Sequence, residues 1–147
     1  MTRAVHDSPT PWVAAHIRRF EETGGRPRPG MNDLLLTTRG RRSGLPRRTA
    51  LAYVRAGDAY VLTASNAGAD RHPAWYLNLL ATPDVTLQVG PAAFPATARP
   101  ATAAEAARLR PLVIAAMPSY AAYRTTTTRD IPLVLATPAA QTDSLPT

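Results

Sequence analysis

Apolar residues recur along this chain in two different rhythms. Near the start they fall at intervals of three and four: Val13, Ile17 and Phe20 share one face of a helix. Thr10-Pro11-Trp12 provides its start, with threonine as cap and proline in the first helical position, and Gly24-Gly25 its stop. After the extended stretch Arg26-Pro27-Arg28-Pro29-Gly30, the rhythm changes to short runs bounded by turn residues. Residues 33–38, 49–54 and 59–65 read as three strands, joined by Arg39-Gly40-Arg41-Arg42-Ser43-Gly44 and by the tight turn Ala56-Gly57-Asp58.

A short helix follows, with Pro73 near its start and residues 75–80 in its body. Val85-Thr86-Leu87-Gln88-Val89 alternates with period two, as a half-buried strand does, and residues 94–99 are its hairpin partner. Thr102-Ala103-Ala104-Glu105 is a capping box that opens a third helix. Pro111 predicts a kink or a split in that helix, and Met117-Pro118-Ser119-Tyr120 its end. Residues 131–135 form a last strand, whose Pro132 points to an edge position or a bulge. Strands meet in hairpins and not in βαβ crossovers, so the expected fold is α+β: an antiparallel barrel with flanking helices. The expected organisation is an N-terminal helix and linker over 1–30, one β-rich domain over 31–138 and a tail over 139–147.

Composition narrows the chemistry. A chain of 147 residues that is 45% apolar suits one core. Cysteine is absent, which excludes disulfides, thiolate metal sites and a cysteine nucleophile, and His6, His16 and His72 lack metal-ligand spacing. No membrane-length apolar run and no apolar leader occur, so a cytoplasmic location is expected. The net charge is +7, and all 17 basic residues are arginine. GC-rich coding explains arginine over lysine but not where the arginines sit. A basic chain seeks anions: nucleic acid, an anionic membrane or a phosphorylated ligand.

Three segments could carry function. The first, Thr37 to Arg48, holds five arginines, two glycines, three hydroxyl residues and no acid. Glycines let backbone N–H groups converge on an anion, and guanidinium matches phosphate or carboxylate oxygens. The alternative is a solvated basic hairpin tip. In the second, Ser65 to Asn78, a small-residue loop feeds a helix N-terminus, which favours an anion and lets a flat ring approach the backbone. Trp75 and Asn78 share a helix face there, although Trp75 alone reads equally as a core anchor. In the third, Ser119 to Tyr123, two tyrosines three residues apart offer phenols that can hydrogen-bond a carbonyl or nitro oxygen, or merely form a surface contact.

In order and well spaced, residues 35–44, 64–79 and 118–123 resemble the deazaflavin (coenzyme F420)-dependent nitroreductase family, and the resemblance extends over about 31–138. It implies the FMN-binding split β-barrel fold. It implies that Arg41, Arg42, Ser43, Arg47, Arg48 and Thr49 hold the cofactor's phosphate and acidic tail. Thr63, Ser65, Asn66, Ala74, Trp75 and Asn78 would support the deazaflavin ring, with Tyr120 also beside the cofactor. Tyr120, Tyr123 and Ser65 are the candidate catalytic groups on the substrate side. Five arginines suit a phosphodiester with an oligoglutamate tail better than the single phosphate of FMN, the alternative cofactor. Some relatives carry lysine where Asn66 stands and a further tyrosine where Met117 stands; the second departure weakens the case for nitroimidazole-type reduction.

The expected activity is hydride transfer from the reduced deazaflavin to an activated small molecule: an enone, quinone, imine or nitro compound. A non-catalytic flavin or deazaflavin carrier and an FMN-dependent reductase are the alternatives. Nucleic acid is not an expected partner, because the arginines cluster at one turn with no aromatic interleaving. A homodimer is compatible with the resemblance. The first helix, with Trp12, Val13, Ile17 and Phe20 against Arg18 and Arg19, offers either weak membrane association or packing on the protein, and its short apolar face favours packing.

Overall fold

A computed structural model describes residues 6–8, 10–27, 32–65, 71–118, 120–122 and 131–139. The chain runs β1 (His6–Asp7), α1 (Pro11–Glu22), β2 (Asp33–Arg39), β3 (Pro46–Ala52), β4 (Val54–Ala56), β5 (Ala59–Thr63), α2 (Ala74–Ala81), β6 (Asp84–Val89), β7 (Ala92–Pro100), α3 (Ala103–Ala116) and β8 (Leu133–Pro138). The fold is mixed α+β. All eight strands form one sheet in the order β1-β3-β2-β6-β7-β8-β5-β4. Every pairing is antiparallel except that of β1 with β3.

The sheet order has a geometric consequence. β3 lies near one end of the sheet and β4 at the other, yet only Tyr53 separates them in the chain. Covalent connectivity therefore bends the sheet until its ends approach, and Tyr53 bridges them while its N–H donates to the Asn32 carbonyl at 2.9 Å. The single long return strand expected over 49–54 is thus two strands that pair with different neighbours.

Burial on both faces of the sheet explains the continuous apolar runs. Leu34 and Leu36 point into the main core with Leu62, Leu79, Leu87 and Val134. Leu35 points the other way, beneath Val13, Ile17 and Phe20 of α1. Val61, Leu133 and Leu135 likewise face outward, under Leu109 and Val113 of α3. Each fully buried side chain of this size contributes roughly 1.5–3 kcal/mol. The apolar face of α1 is therefore occupied by protein. No helix among the described residues is long and apolar enough to cross a membrane.

Some local expectations change. Thr10 caps α1 by position only; its side chain makes no capping bond, and Pro11 supplies the preset φ. Gly24 and Gly25 end the helix at positive φ, with the Gly25 N–H donating to the Phe20 carbonyl at 2.7 Å. The capping box at Thr102 and Glu105 is present in both directions. Pro111 does not split α3, which continues through it to Ala116. The cost there is a lost bond to the carbonyl four residues back, and packing of Leu109 and Val113 on the sheet offsets it. Pro132 marks neither an edge nor a bulge. It precedes β8, an interior strand between β7 and β5, and its carbonyl accepts from the Ala64 N–H at 3.0 Å. A proline just ahead of a strand removes no ladder donor.

Candidate functional site

The hairpin joining β2 to β3 is shaped by its glycines. The Gly40 N–H donates to the Leu45 carbonyl at 2.8 Å, and the Gly44 N–H returns to the Gly40 carbonyl at 2.8 Å. A side chain at Gly40 would meet the Ser43 hydroxyl and the Leu45 carbonyl, and Gly44 has φ 72°, so the loop curls tightly. The Ser43 hydroxyl accepts from the Leu45 N–H at 3.1 Å.

This hairpin forms one wall of a cleft of about 650 Å³, within the usual range for a cofactor site. Arg41, Arg42, Ser43, Arg47, Arg48 and Thr49 all line it. Thr63 and Ser65 from the end of β5 and Ala74, Trp75 and Asn78 from α2, whose N-terminus carries no side-chain cap, line it as well. Trp75 is buried in the main core, as an anchor would be, and also lines the cleft. Eleven residues nominated from the sequence thus converge on one surface.

The others do not join them. Tyr120 lies beneath α3 with Val61, Leu109, Val113 and Leu133, and its buried hydroxyl has no hydrogen-bond partner among the described residues. It is not on the cleft wall. Asn66 and Tyr123 fall outside the described residues.

Asn78 organises the hairpin from below. It is buried, and its carbonyl oxygen accepts from both the Arg41 backbone N–H at 3.2 Å and the Arg41 guanidinium at 3.1 Å. Its amide nitrogen donates to the Thr38 hydroxyl at 3.1 Å. Arg41 is therefore held by a neutral partner, with no carboxylate paired to it among the described residues. Arg42 and Arg47 are exposed and have no carboxylate partner among the described residues. Arg48 differs: it donates to both oxygens of Asp7 at 2.7 and 3.1 Å and to Glu21 at 2.9 Å. The Asp7 hydrogen bonds, more than the opposing burial, hold its guanidinium above the usual arginine range.

The N-terminal segment is the part of the site that sequence reasoning missed. His6, Asp7, Ser8, Thr10, Trp12 and Val13 complete the cleft wall. A strand of two residues has no periodicity to read. The nearest signal was Asp7, an acid just ahead of the Thr10-Pro11 helix start. Among the described residues no group of acids and histidines could hold a metal ion.

The cleft's chemistry suits a ligand with an anionic tail and a flat ring. Arg41, Arg42 and Arg47 have no carboxylate partner among the described residues, and small and aromatic side chains line the same cleft. The comparisons with known proteins agree. The family of F420H(2)-dependent quinone reductases matches residues 12–138. An F420H(2)-dependent quinone reductase of Mycobacterium tuberculosis is 44% identical over 107 residues, 71% of this chain and 72% of the relative. A solved structure titled as an F420-H2 dependent reductase, FDR-A, is 37% identical, with TM-score 0.66, covering 71% of this chain and 93% of that one. A second, titled as a domain-swapped dimer, is 36% identical with TM-score 0.69, covering 88% and 99%. The family is named for quinones where the sequence resemblance named nitro compounds, and its cofactor is the deazaflavin, which leaves the FMN alternative unsupported. This chain belongs to the F420H(2)-dependent quinone reductases, a family of oxidoreductases.

Proposed function

We propose that this chain binds reduced coenzyme F420 in the hairpin cleft and reduces a quinone there, on a curled sheet that is a split β-barrel of the flavin-binding type. The single observation that carries the reading is the convergence, on one cleft of a chain of this family, of α2 residues with arginines that have no carboxylate partner among the described residues.

Arg41, Arg42 and Arg47 hold the phosphodiester and glutamate tail, with Ser43 and Thr49 beside them. Thr63, Ala74 and Trp75 bound the ring. Asn78 acts one step back, keeping Arg41 in place. When bound, the reduced deazaflavin supplies a hydride. The chain's part is orientation and charge: Ser65, half-buried on the cleft wall, offers its hydroxyl to the oxygen on which negative charge develops as the quinone is reduced. Of the three nominated groups, Tyr120 lies away from this wall and Tyr123 falls outside the described residues, so Ser65 is the donor proposed among the described residues. A homodimer and reduction of enones, imines or nitro compounds are secondary readings. The domain-swapped relative favours the first.

Titration with F420 and, in parallel, FMN, followed by fluorescence, tests the cofactor. Saturable F420 binding with weak FMN binding, and oxidation of reduced F420 on adding a soluble quinone, is the expected result. F420 binding without turnover on any quinone, enone or nitro compound would make the chain a carrier. Binding of neither cofactor would end the proposal.

A further inference from the structure

Arg48 stands among the cationic residues of the cleft, but its surroundings carry the opposite charge. One guanidinium faces two carboxylates, so the cluster of Arg48, Asp7 and Glu21 sums to −1. A phosphate or glutamate brought to this arginine would meet both acids. The three groups come from three elements. Asp7 belongs to β1, Arg48 to β3 and Glu21 to the last turn of α1. Asp7 precedes α1 and Glu21 lies at its end, so one side chain ties both ends of the N-terminal segment to the barrel sheet.

The backbone alone holds this segment weakly. β1 has two residues, paired as His6 with Arg47 and Asp7 with Arg48, and the Ser8 N–H adds one bond to the Arg48 carbonyl at 2.9 Å. So short a strand has little pairing of its own. The fork from Arg48 to both Asp7 oxygens supplies the directional, charge-assisted contact that the ladder lacks. What it secures is functional surface: Ser8, Thr10 and Trp12 form cleft wall, and the Trp12 indole is 64% exposed there.

We infer that Arg48 is a positioning residue that latches the N-terminal strap as a wall of the cofactor cleft, and not an anchor for the cofactor's anionic tail. The inference rests on the proposed F420 site. The latch sets how the cleft is bounded, and Arg41, Arg42 and Arg47 carry the anion.

Asp7→Asn separates the two roles by sign. If Arg48 anchored the tail, removing the acid would free its charge and tighten F420 binding. As a latch, Asp7→Asn and Arg48→Met both weaken F420 binding, about threefold or more. The double variant is no worse than Arg48→Met alone, because both changes cut one interaction. Arg48→Lys, which keeps charge but loses the fork, recovers only part of the loss. Hydrogen exchange of the Ser8 amide, measured without cofactor, accelerates about tenfold or more in Asp7→Asn. Tighter F420 binding by Asp7→Asn would overturn the inference. So would faster Ser8 exchange with unchanged F420 affinity and quinone KM. If Arg48→Met fails to fold, the sign for Asp7→Asn still decides. If the unaltered chain binds no F420, the function falls, while Ser8 exchange still reports the latch by itself.

Discussion

Arg41 and Arg48 sit at the two sides of one hairpin, and by charge alone they are equivalent. Their partners make them different. Arg41 is held by the carbonyl oxygen of Asn78, a neutral group that fixes its geometry and leaves its charge available. Arg48 is held by two carboxylates, which fix its geometry and offset its charge. A count of arginines in a basic loop therefore does not distinguish those paired with an acid from those held by a neutral group.

The comparison breaks most visibly at Arg41. Arg41→Met removes a charged hydrogen-bonding group worth about 1.5–3 kcal/mol, so F420 affinity should fall by roughly tenfold to a hundredfold in a fluorescence titration. A loss no larger than that of Arg48→Met would erase the distinction.

Asn78→Asp sharpens it. The substitution keeps shape but places a carboxylate under Arg41, turning that arginine into a second Arg48. F420 affinity should drop about three- to tenfold with little change in melting temperature. Asn78→Leu should instead lower stability by about 1–3 kcal/mol, because the buried Thr38 hydroxyl and the part-buried Arg41 N–H lose their partner. Thermal melts beside the titration separate the two effects.

Tyr120→Phe probes a polar atom outside the cleft. Its hydroxyl is buried without a partner among the described residues, so removing it should raise stability by about 1 kcal/mol and leave F420 affinity unchanged. Lost turnover in this variant would return Tyr120 to the reaction.

The smallest effect concerns a third arginine, Arg99, which pairs with Glu105 at 2.7 and 2.8 Å at the start of α3. That pairing, with the Thr102 N–H, lowers the Glu105 pKa from 4.5 to about 2. A depressed folded pKa means that the contribution is complete above about 4.5 and disappears as pH falls toward about 2. Amide protection at Thr102 and Glu105 should follow that window, and Glu105→Gln should flatten it.

Local pattern made most elements legible. The capping box of α3 and the Val13, Ile17 and Phe20 stripe depend on neighbours in sequence, and the structure has both. The core alternation around Leu34, Leu35 and Leu36 was hidden, because helices cover both faces of β2 and remove the polar half of the pattern. The hairpin and α2 residues of the cleft were legible as ordered motifs. The wall formed by β1 was not, since two residues carry no period and their partner lies 41 positions away.

By itself, the sequence determined which residues could be cations, turns, caps and apolar faces, since those properties reside in side chains and short-range backbone preference. Tertiary structure alone decided which arginines are paired with carboxylates, because Asp7, Glu21 and Asn78 reach the hairpin only after the chain has folded across itself. Electrostatic availability depends on distance in space, and the Asn78 amide and the Asp7 carboxylate lie 37 and 41 residues from the arginines they hold.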